Sequence, residues 1–148
     1  MNKKKDENLQ ILLVEDNPDD VLLTRVAFED SRFDHQLHVV ENGEEAIKFL
    51  KKKGQYKNHP RPHLILLDLN LPRVSGIEVL EQLKQDNHLS VIPIVVLTTS
   101  TYEEDVLKCY KHHANCFITK PVDLDSFMSV VKLIEHFWFD VVTLPPYE

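Results

Sequence analysis

Leu64-Ile65-Leu66-Leu67-Asp68 is four aliphatic residues in a row, closed by an acid. An unbroken apolar run of this length fits a strand covered on both faces, as in a parallel sheet flanked by helices. A strand with one wet face would alternate apolar and polar residues instead. Two runs share this character, Ile11-Leu12-Leu13-Val14 upstream and Ile94-Val95-Val96-Leu97 downstream, with weaker ones near residues 37–40 and 116–118. Between them lie apolar residues at helical spacing. Leu22, Leu23, Val26 and Ala27 form one stripe, Ala46, Ile47 and Leu50 a second, and Gly76, Leu80 and Leu83 a third. Val106, Leu107 and Tyr110 follow, then Phe127, Val130, Val131, Ile134 and Phe137.

Helix start signals agree with this alternation. Asn17-Pro18 supplies an N-cap followed by a proline at the first helical position. Ser100 with Glu103 three residues later has the form of a capping box, and Asp123 is a candidate cap for the last helix. Strand and helix thus alternate five times. Right-handed crossovers then favour a flavodoxin-like (βα)5 doubly wound parallel sheet with strand order 2-1-3-4-5. Ligands of such sheets bind outside the carboxyl ends of the strands, where the winding reverses between strands 1 and 3.

The bulk properties bound the functions open to this fold. A chain of 148 residues with 43% hydrophobic and 28% charged residues is sized for one core. A net charge of -7 argues against a nucleic-acid surface, which needs a basic face. Met1-Asn2-Lys3-Lys4-Lys5 has the charge of a signal-peptide start, but Asp6, Glu7 and Asn8 follow and no apolar segment of the required length comes next. No stretch approaches the roughly 20 apolar residues of a membrane span, so a cytoplasmic protein is expected. Cys109 and Cys116, the two cysteines, form no CxxC and are expected to be small buried apolar residues.

The predicted strand ends carry the chemistry. Strand 1 ends in Glu15-Asp16, strand 3 in Asp68, strand 4 in Thr98-Thr99 and strand 5 in Thr119-Lys120-Pro121. Taken singly, Asp16 is an ordinary helix-cap residue, Glu15 a solvated charge and Lys120 a loop residue. An acid closing a buried strand must be paired or metal-bound, which sets Asp68 apart. Three carboxylates brought to one cleft repel one another unless a cation lies among them, and an all-oxygen donor set suits Mg²⁺. A carboxylate can attack phosphorus to form an acyl phosphate, and an ammonium such as Lys120 offsets charge on the transferred group.

Val14-Glu15-Asp16-Asn17, Leu66-Leu67-Asp68-Leu69-Asn70-Leu71-Pro72, Val96-Leu97-Thr98 and Phe117-Ile118-Thr119-Lys120-Pro121 together resemble the receiver domains of two-component response regulators. The resemblance runs from about Leu9 to Ile134. It implies that Asp68 is the phosphoacceptor, charged by a phosphohistidine of a sensor histidine kinase. It further implies that Asp16 and Asp68 ligate Mg²⁺ directly, Asn70 through its backbone carbonyl and Glu15 through water. Thr98 and Lys120 would contact the phosphoryl oxygens, Phe117 would be the aromatic that swings with Thr98, and Lys120–Pro121 would be a cis peptide. The long basic loop from Lys51 to Pro62 and the ending Phe137-Trp138-Phe139-Asp140-Val141-Val142-Thr143-Leu144-Pro145 resemble the single-domain regulators that partner phytochrome-type sensor kinases.

The expected organisation is a disordered tail over residues 1–8, a receiver domain over 9–138 and an apolar extension over 139–148. About ten residues after Trp138 leave no room for a DNA-binding effector, so output through protein contacts is expected. Phe137, Trp138 and Phe139 point round a helix, and one face cannot bury all three. Either the tail folds back on its own domain or it joins the last two helices and the strand between them in a homodimer surface. His59 and His63 are four apart but flanked by Pro60 and Pro62, which excludes a helical metal pair.

Two other classes compete. An FMN carrier needs a phosphate loop after strand 1, where Glu15-Asp16 would repel the phosphate. An aspartyl-phosphate phosphatase has a second acid two residues after its nucleophile, where this chain has Asn70, so no dedicated turnover catalyst is expected. A degenerate receiver acting as a phosphorylation-independent binding module is the remaining alternative, against which the intact set of acids, Thr98 and Lys120 weighs.

Overall fold

The computed structural model describes residues 8–31 and 33–146. The tail expected over residues 1–8 therefore lies, Asn8 apart, outside the described residues. Five parallel strands, β1 (Leu9–Val14), β2 (His35–Val40), β3 (Leu64–Leu67), β4 (Ile94–Thr98) and β5 (Cys116–Thr119), form one sheet in the order β2-β1-β3-β4-β5. The helices α1 (Pro18–Glu29), α2 (Gly43–Leu50), α3 (Gly76–Gln85), α4 (Glu103–Lys111) and α5 (Leu124–His136) alternate with them. The unbroken apolar runs are the buried strands: β1, β3 and β4 are buried at every position.

Alternate residues of each strand serve opposite faces. Leu12, Val14, Ile65, Leu67, Ile94 and Val96 pack with α2 and α3, and Cys109 of α4 joins them. Ile11, Leu13, Leu64, Leu66, Val95 and Leu97 pack with Ala27 and Phe28 of α1 and with Phe127, Val131 and Ile134 of α5. Asn17 caps α1 by accepting from the Asp19 and Asp20 amides, and Asp123 caps α5 by accepting from the Ser126 amide. Gly76 opens α3 directly against the chain leaving β3: a Cβ there would lie 2.4 Å from the Asp68 carbonyl oxygen. Only glycine lets the backbones approach that closely.

Several expectations differ from what forms. Leu22 and Val26 are exposed, whereas Ala27 of the expected stripe is buried together with Thr24 and Phe28, because the face toward α5 is rotated from the stripe the sequence suggests. In α4, Leu107 and Tyr110 are exposed and only Cys109 is buried. The capping box at Ser100 does not form. Tyr102 precedes α4, and Ser100 is instead a buried residue whose hydroxyl donates to Asp105 at 2.6 Å. Every peptide bond among the described residues is trans, Lys120–Pro121 included; the cis and trans forms of an X–Pro bond differ by only about 1 kcal/mol, too little for sequence to decide.

The C-terminal aromatics divide. One π-helical turn, Phe137–Val141, follows α5: Phe139 is fully buried against the rings of Phe28 and Phe33, and Leu144 joins the same cluster. Phe137 stays exposed and Trp138 is half-buried, its ring edge-on to Phe137. Phe139 therefore belongs to the core of its own chain, which removes it from the surface expected to self-associate. The wider turn carries one more residue than an α-turn and rotates Phe139 inward.

Candidate functional site

Register brings the strand ends together. Val14 lies opposite Leu67, and the amide of Asp68 donates to the Val14 carbonyl at 3.1 Å, so Glu15 and Asp68 emerge side by side. On the other flank Thr98 lies opposite Thr119, and the Lys120 amide donates to the Thr98 carbonyl at 2.7 Å. All four side chains, Glu15, Asp68, Thr98 and Lys120, are buried.

The Lys120 ammonium donates to three carboxylates: Glu15, Asp20 at 2.8 Å and Asp68 at 3.2 Å. Burial pulls Lys120 toward neutrality, but the hydrogen bonds to Asp20 and Glu15 and the charge of Asp68 hold its pKa above the ordinary value, so it stays charged. Burial pushes Asp68 up, yet a hydrogen bond from Thr98, the Lys120 charge, a hydrogen bond from Glu15 and the Asn70 amide together hold it below the ordinary carboxylate range. That amide donates to Asp68 Oδ1 at 3.2 Å. Glu15 takes the opposite direction. Burial, reinforced by the Asp68 charge, raises it to about 7 against the pull of Lys120 and the Asn17 amide. One ammonium cannot neutralise every acid round it, and the surplus falls on Glu15.

Donor oxygens of Glu15, Asp16 and Asp68 lie within 4.8 Å of one another, the one such cluster among the described residues. Asp16 is exposed while Glu15 and Asp68 are buried, so the cluster has one open side. An all-oxygen set with two or three carboxylates and a side left to solvent fits a hard cation that keeps several waters, as Mg²⁺ does. Asn70 stands exposed at the rim of this cluster.

The structure thus unites Glu15, Asp16, Asp68, Thr98 and Lys120. Phe117 lies on β5 opposite Val96, half-buried, and its amide donates to the Tyr110 hydroxyl of α4 at 3.2 Å. Phe137 and Trp138 are outside the site, at the far end of α5. Asp20 is the site residue that sequence reasoning missed. It lies in the first turn of a predicted helix rather than at a strand end, so nothing in its sequence position pointed to the site. His59 and His63 hold no common site. His63 Nδ1 accepts from the Gln10 amide at 2.9 Å, and the His59 ring packs edge-on against Phe49 and Tyr56.

Comparison with known proteins gives the same picture. The family model described as "Response regulator receiver domain" matches residues 11–143. Response regulator Rcp1 of Synechocystis sp. is 48% identical over 135 residues, 91% of this chain and 92% of that protein. The crystal structure of the phosphorylated cyanobacterial phytochrome response regulator RcpA superposes with a TM-score of 0.93 at 45% identity, covering 95% of this chain and all of the other. The Mn²⁺-bound form of Rcp1 does so with a TM-score of 0.90 at 47% identity, over 93% of this chain and 99% of that one. Among the described residues no helix is long and apolar enough to cross a membrane.

Proposed function

The chain belongs to the response regulator receiver family of two-component signalling, and from that premise we propose that Asp68 is its phosphoacceptor. The observation that carries this reading is the pairing at the strand ends: a buried carboxylate kept ionised by Thr98 and Lys120 beside an acidic cluster fit for a cation. A sensor histidine kinase is the donor, and the likeness to RcpA and Rcp1 favours one of the phytochrome type. A carboxylate oxygen of Asp68 attacks phosphorus, the P–N bond of the phosphohistidine breaks, and the imidazole leaves with the electron pair. Asp16 and Asp68, with the Asn70 carbonyl and with Glu15 acting through water, would hold Mg²⁺, which would supply charge neutralisation at the transferred group.

Lys120, freed from part of its carboxylate cage, then donates to a phosphoryl oxygen, and the Thr98 hydroxyl moves from the carboxylate to another. Phe117 follows Thr98 inward. The output is a changed protein-contact surface in the cytoplasm. Asn70 stands where a phosphatase would have its second acid, so the chain is a switch whose own hydrolysis is slow.

Exposed Leu107, Tyr110, Leu133 and Phe137, with half-buried Trp138, favour a homodimer through α4, β5 and α5. Incubation with acetyl phosphate and Mg²⁺, followed by intact-mass measurement and a phosphate-release assay, tests the function. One phosphoryl group per wild-type chain, absent in Asp68→Asn, supports the switch. No addition to the wild type would make the chain a phosphorylation-independent binding module. Sustained release of free phosphate would make it an enzyme.

A further inference from the structure

The first turn of α1 carries two acids, Asp19 and Asp20, where negative charge suits the helix dipole. Asp19 is exposed. Asp20 turns inward: its side chain is 21% exposed, and its Oδ2 accepts from the Lys120 ammonium at 2.8 Å. The backbone of Asp20 is pinned on both sides. Its amide donates to Asn17 Oδ1 at 3.3 Å in the helix cap, and its carbonyl accepts from the buried Thr24 hydroxyl at 2.7 Å. This carboxylate is carried by a fixed helix end, unlike the other acids of the site.

A lysine ammonium has three N–H donors, and those of Lys120 are spent on Glu15, Asp20 and Asp68. Phosphoryl transfer asks different things of the three acceptors. Asp68 gives an oxygen to phosphorus. Glu15 belongs, with Asp16 and Asp68, to the acidic cluster fit for a cation. Asp20 is neither the nucleophile nor a member of that cluster, so its oxygens have no other use in the reaction. Lysine is a point charge on a flexible four-carbon stem, and one lasting tie fixes where that charge sits.

We infer that Asp20 is a positioning residue that anchors the Lys120 ammonium on the α1 side of the site before and after phosphoryl transfer. The inference rests on the proposed phosphorylation of Asp68. One donor stays with Asp20 throughout, and the two released by Glu15 and Asp68 turn to the phosphoryl oxygens. Without the anchor the ammonium closes on Glu15 and Asp68. It then covers the oxygens that a cation and phosphorus need, so metal binding and transfer both weaken.

Two measurements on the full chain test it. One is Mn²⁺ binding to the unphosphorylated protein, followed by the electron spin resonance of the free ion. The other is the rate of phosphoryl gain from acetyl phosphate at saturating Mg²⁺, followed by intact mass. Wild type, Asp20→Ala, Asp20→Asn, Asp19→Ala, Lys120→Ala and the Asp20→Ala/Lys120→Ala double variant are compared, each shown by circular dichroism to be folded. Asp20→Ala should lower the rate about tenfold, the value expected for loss of one charge-assisted hydrogen bond, and should raise the Mn²⁺ dissociation constant several-fold. Asp20→Asn keeps an acceptor oxygen in the same volume and should lose less; it carries the test if the alanine variant does not fold. Asp19→Ala removes the same charge from the same helical turn and should match wild type in both measurements. In the Lys120→Ala background, removing Asp20 should slow transfer no further, as for two residues acting as a unit. A tenfold loss repeated in that background, an equal loss in Asp19→Ala, or an Asp20→Ala chain indistinguishable from wild type would overturn the anchor. A wild type that gains no phosphoryl mass sinks the switch reading instead, and the Mn²⁺ comparison still decides whether Asp20 holds the ammonium off the other acids.

Discussion

The ammonium of Lys120 serves three carboxylates, and its side chain is almost wholly buried. Removing one member of a buried ion cluster leaves uncompensated charge, at a cost of about 3–5 kcal/mol. Lys120→Ala should lose that much stability in urea unfolding without metal and recover part of it when Mg²⁺ is added, since a divalent ion replaces the missing positive charge. Glu15 gives a pH signature. Its folded value, about 7, lies above the ordinary 4.5, so the folded state holds this proton more tightly than the unfolded one. Its contribution to stability is complete below 4.5 and is lost as pH rises through 7. Asp68, held low, acts in a separate and more acidic window: its contribution is present above 3.8 and is lost as pH falls through its depressed value. Melting temperature in EDTA should therefore fall between about pH 5 and pH 8, and the fall should flatten in Glu15→Gln. A slope unchanged in that variant would assign the titration elsewhere.

At the scale of elements, burial separates two neighbouring phenylalanines. Phe139 fills the cluster between Phe28 and Phe33, and Phe139→Ala should cost about 3–5 kcal/mol in urea unfolding. Phe137 is 49% exposed, and Phe137→Ala should stay within about 0.5 kcal/mol in dilute solution. Sequence could not separate them, because a single extra residue in the π-helical turn decides which one faces inward. The same limit explains α1 and α4. Apolar spacing located both helices, but the face each one buries is set by its neighbours, so Leu22 and Leu107 are outside while Phe28 and Cys109 are inside. Strands β3 and β4 were the most legible, the first to the residue and the second to within one, since burial on both faces leaves no rotation to be chosen. By contrast, β1 and β2 each begin two residues before the apolar run that marked them. Ser100 shows the opposite case: an acid three residues on suggested a cap, and the acid five residues on took the hydroxyl.

For the whole molecule, the topology made the site legible before any side chain was placed. Order 2-1-3-4-5 puts the ends of β1, β3, β4 and β5 at one edge, and Glu15, Asp68, Thr98 and Lys120 follow from it. Asp20 stayed hidden because it comes from the first turn of a helix rather than from a strand end. The exposed apolar residues of α4 and α5 bear on assembly. Sedimentation equilibrium should show a dimer at micromolar concentration that Leu133→Asp with Phe137→Asp converts to monomer; a monomeric wild type, with and without a phosphate mimic, would contradict it. The central claim is tested most directly by trapping the phosphorylated chain with borohydride, which reduces an acyl phosphate on aspartate to homoserine, followed by peptide sequencing in a mass spectrometer. Homoserine at position 68, formed only when acetyl phosphate and Mg²⁺ are both present, is the expected result. Homoserine at another acid, or none in a chain that has gained phosphoryl mass, would contradict it.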